Sequence, residues 1–511
     1  MLAQLTTFAL QGIDAIRVEV EVDVAGGLPK TVIVGLPDLT VRESVHRIER
    51  ALENLEYVRP TGRTIVNLAP ADLRKDAGAF DLPIAIGMLV STNQIRISGL
   101  DRWAIVGELA LDGSLRPIKG ALSMALAAKS LGITHLLLPL ENAREAAVVQ
   151  ELAVYGSGTL REAVGLLTGQ LDREPTPCDL ENLETHLNCY DIDFSDVRGQ
   201  EFAKRAMVVA AAGGHNILMI GPPGSGKTML ARRFPTILPP LTPSESLETT
   251  RVYSAVGRLP PGEPMLRTRP YRSPHHTISD AGMVGGGAIP SPGEISLAHH
   301  GILFLDELPE FQRRSLEVLR QPLEEGQVTI SRAYGAICYP AKLMLIASMN
   351  PCPCGFLGDA KHVCKCSPPQ IERYMGKLSG PLLDRIDLHI EVPAVPFDKL
   401  AAEQEGTSSA TMRDQVQRAR EIQHQRFGDS MTLNARMSTR QLRRFALLDE
   451  ECRSLLEDAM EAFGLSARAH DRILRMARTI ADLDASESIA PEHISEAIGY
   501  RCLDRRLWAK V

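Results

Sequence analysis

The sequence predicts an α/β protein: a phosphate-binding core, a helical region after it, and a smaller domain of mixed strands and helices before it. Three observations carry that expectation. A short apolar run after Asn216 leads into GPPGSGKT at 221–228, followed by the helix-forming residues MLARRF. A second apolar run, ILFL at 302–305, ends in the paired carboxylates Asp306 and Glu307. Beyond position 400, Arg, Glu, Leu and Ala recur at helical spacing, broken by the polar stretch AAEQEGTSSA.

The chain is long enough for several cores. Its 511 residues are 44% hydrophobic and 23% charged, and this length corresponds to roughly three domains. No run of about 18 apolar residues occurs. The opening MLAQLTTFALQGIDAIRVEVEV lacks the basic flank, apolar centre and small-residue cleavage site of a leader. The expected address is the cytoplasm, with no membrane partner. A net charge of −7 excludes an overall basic coat but not a local basic channel.

In the first region, 1–168, the alternating VEVEV at 18–22 and the apolar TVIVGLP at 31–37 read as strands. After Leu167 the composition turns polar in TGQLDREPTPCDLENLETHLNCYD, the pattern of a linker, placed at 169–191. The phosphate-binding core then occupies 192–395, and 396–511 is a helical lid. No internal repeat or low-complexity tract is visible.

The core carries a nucleotide site. Gly221, Pro222, Pro223, Gly224, Ser225 and Gly226 form a loop whose N–H groups can face phosphates at a helix N-terminus. Lys227 then reaches the β and γ phosphates of ATP, and Thr228 offers a hydroxyl to Mg²⁺. Asp306 completes the Mg²⁺ site and Glu307 orients the attacking water. A third apolar strand, 343–348, ends beside Asn350, within reach of a γ-phosphate.

At this point the residues resemble the magnesium-chelatase-related AAA+ family, in its bacterial YifB/ComM branch. The motifs are RPYRSPHHTIS from Arg269, GEISLAHHGILFLDELPEF from Gly293, SMNPCPCGFLGD from Ser348 and SGPLLDRIDLHIEV from Ser379, and the resemblance spans essentially the whole chain. It implies an AAA+ P-loop core with a helical lid. Asn350 takes the sensor 1 role, Arg385 that of the arginine finger reaching a neighbouring subunit's nucleotide, and Arg468, in GLSARAHDRIL, that of the sensor 2 arginine. Alone, Arg385 reads as a partner of Asp384 or Asp387. A borrowed finger implies a ring, expected to be a homo-hexamer, because such a residue contributes about 10³ to 10⁵ in rate.

About eighty residues separate Lys227 from Asp306, more than one strand and helix need. GMVGGGAIPSPGE at 282–294 reads as an inserted hairpin. By resemblance it and a second hairpin near 328–338 point toward a pore, with Arg332 and Lys342 as contacts for a polyanion. In the helical region Arg468, Arg472, Arg475 and Arg478 share one helix face, which either guides DNA or pairs with acids.

Of nine cysteines, four make the pattern C-x-C, nine residues, C-x-C: Cys352, Cys354, Cys364 and Cys366. Four thiolates on one loop suit a closed structural Zn²⁺ site, with His362 as an alternative ligand and an unmetallated loop as the competing reading. The other five read as core thiols.

The stretch VGELALDGSLRPIKGALSMALAAKSLGITHLLLP resembles the Lon protease and RadA domain, an S5-type α+β fold. Ala79 stands where the resemblance puts the catalytic serine and Leu122 where it puts the lysine, so peptidase activity is excluded. The resemblance as a whole implies an ATP-driven DNA helicase that promotes branch migration in homologous recombination during natural transformation. The alternative is a protein-remodelling ATPase of the magnesium-chelatase type without DNA activity.

Overall fold

The computed structural model describes residues 2–36, 38–71, 75, 78–178, 190–260, 263–287, 290–332, 335–359, 362–396, 406–429 and 432–501. It divides into two units, Met1–His186 with Thr242–Arg267, and Leu187–Leu241 with Thr268–Val511. Part of the linker expected at 169–191, the start of the helical region at Leu400 and the side chain of Arg332 lie outside the described residues.

The first unit is built on a seven-stranded mixed sheet. Its strand order is Lys30–Val34, Arg63–Ala69, Asp14–Ala25, Ala3–Gln11, Trp103–Ile105, His135–Pro139 and Ala153–Ser157. Strict alternation in Asp14–Ala25 puts Val18, Val20 and Val22 fully inside while Glu19 and Glu21 stay partly exposed, as a strand with one buried face requires. The strand at 31–37 is shorter than expected, ending at Val34.

The helix Asp81–Ser91 is apolar on nearly every side and is almost wholly buried. Ala79 and Leu122 are both buried apolar positions, so neither place carries a nucleophile or a base. The segment between the phosphate loop and the acid pair sends a helix, Pro243–Val256, to this unit. A capping box between Thr242 and Glu245 starts it. Arg251 on this helix pairs with Asp14 at 2.5 Å.

The second unit centres on five parallel strands in the order Tyr271–Arg272, Ile302–Leu305, Met344–Met349, Ile217–Ile220, Leu388–Glu391. The middle three are buried at every residue, the continuous apolar pattern of a sheet covered on both faces. Ile217–Ile220 lies between strands that come later in the chain. The loops at its carboxyl end therefore open at the point where a parallel sheet binds ligands.

The helices Glu201–Gly213, Lys227–Ile237, Ser409–Phe427 and Ala467–Leu483 share one hydrophobic core with this sheet. Polar bonds fasten the C-terminal helices: the Arg420 guanidinium donates to the Ala211 carbonyl at 2.7 and 3.1 Å, satisfying a group that a helix end leaves free.

Of the hairpin expected at 282–294, the first part is instead the helix Asp280–Val284, because Ser279 caps it by accepting from the Gly282 N–H at 3.1 Å. Among the described residues of this insert, Gly285–Gly286 and Ser291–Pro292 pair. The second hairpin, Gln327–Arg332 with Gly335–Pro340, keeps regular register, and the Tyr339 hydroxyl donates to the Pro290 carbonyl at 2.7 Å, tying the two inserts together.

Candidate nucleotide and metal sites

The strand Ile217–Ile220 delivers the chain into 221–226, and the helix Lys227–Ile237 follows at once. Gly224 and Gly226 take φ of 76° and 93°, and these left-handed values explain their glycines. Gly221 answers a different need, since a Cβ there would lie 2.1 Å from the Val392 carbonyl oxygen. The resulting cavity of about 420 Å³ is lined by Pro223 through Met229, Asp306, Glu307 and 348–350.

Lys227 is nearly buried, and its ammonium donates to the carbonyls of Gly221 at 2.7 Å and Pro222 at 2.9 Å and to Asn350 Oδ1 at 3.3 Å. Burial lowers its pKa, with Asp306 and Glu307 acting against that shift. The Thr228 hydroxyl donates to Asp306 Oδ2 at 2.9 Å. These two oxygen donors converge on the cavity, the donor type that a hard divalent cation takes.

Glu307 is exposed, with φ of 55° for a residue that is not glycine. It stands two residues beyond the strand that ends at Leu305 and lines the cavity. Sequence reasoning missed two neighbours. The Ser348 hydroxyl donates to Asp306 Oδ1, which also accepts the Glu307 N–H at 3.1 Å, and His276 Nδ1 stands 3.7 Å from the Glu307 carboxylate. Only the phrase RPYRSPHHTIS could have hinted at the histidine. Gln200, also missed, donates to the carbonyls of Ser225 at 3.3 Å and Pro393 at 2.6 Å.

Arg385 and Arg468 are not among the residues lining this cavity. Arg385 is largely buried, donates to the Pro381 carbonyl at 2.6 Å and pairs with Glu324, rather than with Asp384 or Asp387. That pairing lowers the Glu324 pKa. Arg468 is 66% exposed and lies 3.9 Å from Asp384; its charge also lowers the Glu324 pKa. Both arginines therefore gather around Glu324 and Asp384.

The basic helix face resolves mostly into internal pairing. Arg472 pairs with buried Asp387, Arg478 with buried Asp482 at 2.9 Å, and Arg475 donates to the Met437 carbonyl at 2.9 Å. Lys342 is exposed.

The four cysteines converge. Sulfur separations are 3.4 Å for Cys352 and Cys354 and 3.6 Å for each of these with Cys364, and all four sulfurs including Cys366 lie within 4.8 Å of one another. A tetrahedral zinc with Zn–S of about 2.3 Å asks for sulfurs roughly 3.8 Å apart, so the donor set fits. His362 turns elsewhere: it is exposed and its Nδ1 faces Asp359 at 3.3 Å. Of the expected core thiols only Cys452 is buried, while Cys178 and Cys338 are exposed; the first lies in the polar linker and the second on an outward position of a hairpin. Cys189 and Cys502 lie outside the described residues.

This parallel sheet, with the glycine loop and acid pair at adjacent strand ends, belongs to the magnesium-chelatase-like AAA+ class. Three family models agree: magnesium chelatase, subunit ChlI, over 193–400; subunit ChlI of Mg-chelatase over 20–142; and the ChlI C-terminal model over 406–501. The chain is 43% identical to the uncharacterized protein YifB of Salmonella typhimurium and 44% identical to the competence protein ComM of Haemophilus influenzae, each over 99% of this chain and 98% of the relative. The magnesium-chelatase 67 kDa subunit of Chlorobaculum parvum is 27% identical over 31% of this chain and 23% of its own length. The chain belongs to the YifB/ComM family.

Proposed function

We propose that the protein is an ATP-hydrolysing DNA motor of the cytoplasm, a homo-hexameric helicase that promotes branch migration in homologous recombination during natural transformation. The observation that carries this reading is the full-length similarity to a protein named for competence, joined to a cavity lined by the glycine loop, Lys227, Thr228, the acid pair and Asn350. Among the described residues no helix is long and apolar enough to cross a membrane.

In this reading the loop N–H groups and Lys227 bind the phosphate oxygens of ATP. Thr228 and Asp306 hold Mg²⁺, which neutralises charge on the phosphates. Glu307 orients water, with His276 beside it, and Asn350 reads the γ-phosphate position through its contact with Lys227. Arg385 and Arg468 sit together away from their own cavity, which favours their service to a neighbouring subunit's nucleotide and hence a ring. Cys352, Cys354, Cys364 and Cys366 hold a structural Zn²⁺. Residues 1–168 supply a Lon-like domain without its serine and lysine, and 396–511 supply the lid.

A synthetic four-way DNA junction tests the proposal. ATP-dependent conversion of the junction to duplex products, absent with Lys227→Ala, supports it. The matches to magnesium chelatase favour a second reading, a protein-remodelling ATPase. An ATPase active in the absence of DNA but unable to move the junction would favour that alternative.

A further inference from the structure

The cysteine cluster is joined to the phosphate loop at two places. Its first cysteine, Cys352, is buried and follows Asn350 by two residues, and Asn350 accepts from Lys227 at 3.3 Å. The second connection is packing. Gly355, one residue after Cys354, adopts φ of 85° and presses on the Pro223 ring so closely that a Cβ would meet Pro223 Cδ at 2.6 Å. The turn that puts it there closes with the Gly355 N–H on the Cys352 carbonyl at 3.0 Å. Cys364 and Cys366 come from the far side of the loop, so their sulfurs fold its return limb back onto this turn.

We infer that the metal held by Cys352, Cys354, Cys364 and Cys366 sets the shape of the nucleotide site, by clamping the Gly355 turn against Pro223 and fixing the start of the loop that carries Asn350. The inference rests on the reading of 221–228 as the ATP loop. Without a central ion, four closely spaced thiols repel one another when ionised and have only weak S–H bonds when neutral. A loop of this length then gains conformational freedom at both contacts. The ion therefore acts on nucleotide affinity without touching nucleotide, as a support to groups that do. The chemical class of the ion is a soft or borderline divalent cation taking four sulfurs, for which zinc is the fitting species.

Two variants and one treatment test the coupling, each read by zinc content per chain and by the dissociation constant of a fluorescent ATP analogue. Chelation of zinc from the whole protein is expected to weaken analogue binding at least tenfold, and added zinc to restore it. Cys364→Ser should lose zinc and show the same weakening. Gly355→Ala keeps all four thiolates; it should retain zinc yet bind the analogue at least tenfold less tightly, because its methyl displaces Pro223. Unchanged folding by circular dichroism accompanies the Gly355→Ala measurement. Analogue affinity unaltered by zinc loss overturns the inference, as does purified protein from zinc-replete cells that holds no metal. Failure of the untreated protein to bind the analogue at all would instead refute the ATP reading on which the inference rests.

Discussion

The ammonium of Lys227 lies 3.3 Å from the side-chain oxygen of Asn350, and with the Gly221 N–H donating to the Met349 carbonyl at 3.2 Å this bond joins the phosphate loop to the end of the neighbouring strand. Its other two acceptors are carbonyls of the same loop. Phosphate oxygens offer this cation stronger, charged partners. Lys227→Ala is predicted to lower ATP turnover by at least about 100-fold, with the far-ultraviolet circular dichroism unchanged. Phosphate release under saturating ATP measures it.

Glu307 stands apart from its neighbour Asp306. Asp306 accepts from Thr228, Ser348 and the Glu307 N–H, while the Glu307 carboxylate is exposed and faces His276. Its loss should therefore spare binding. Glu307→Gln is predicted to keep analogue affinity within about twofold while turnover falls by about 10²- to 10⁴-fold. Asp306→Asn should weaken Mg²⁺-dependent binding as well, and titration of both variants with the analogue separates the two roles.

Arg385 is held by Glu324 and Pro381 outside the cavity of its own chain. If it serves a neighbour, Arg385→Ala alone should lose about 10³- to 10⁵-fold in turnover. Mixing it with Lys227→Ala protein should then restore a measurable fraction, since an interface between them can combine one intact loop with one intact arginine. Absence of any recovery in mixed rings would place the arginine's action within one chain.

Asp387 is fully buried beside Arg472, His215 and the Asn216 N–H. Burial alone would raise its carboxyl pKa, but the charge of Arg472 and the hydrogen bonds outweigh burial, and the net direction is down. A carboxylate held below its unfolded value of about 3.9 contributes stability fully above that pH and loses it as the pH falls through the folded value. Arg472→Met should cost about 3–5 kcal/mol at pH 7 by stranding the charge. The difference from the parent should shrink below about pH 4. Urea unfolding at neutral and acid pH measures both.

The nucleotide loop was legible because its chemistry is local: NILMIGPPGSGKT and ILFLDE each place a strand and the residues that follow it in one consecutive run. The cysteine cluster was legible for the same reason. What the sequence concealed depends on tertiary approach. Ser348 looked like the end of a strand, and its hydroxyl matters only because Met344–Met349 pairs with Ile302–Leu305 and brings it to Asp306. The arginines at 472 and 478 formed a basic face by helical spacing, but Arg472 meets Asp387, a residue far from it in sequence, whereas the pair of Arg478 with Asp482 is local, one turn along the same helix. The helix Pro243–Val256 gave no sign in composition that it joins the N-terminal unit, since that choice rests on contacts such as Arg251 with Asp14.

Steady-state ATP hydrolysis with and without single-stranded, duplex and branched DNA decides whether the protein is a DNA motor, with Glu307→Gln as the inactive control. Turnover should rise several-fold or more with DNA and be abolished in the control. Hydrolysis that is robust in the parent protein and indifferent to every form of DNA would contradict the DNA-motor reading.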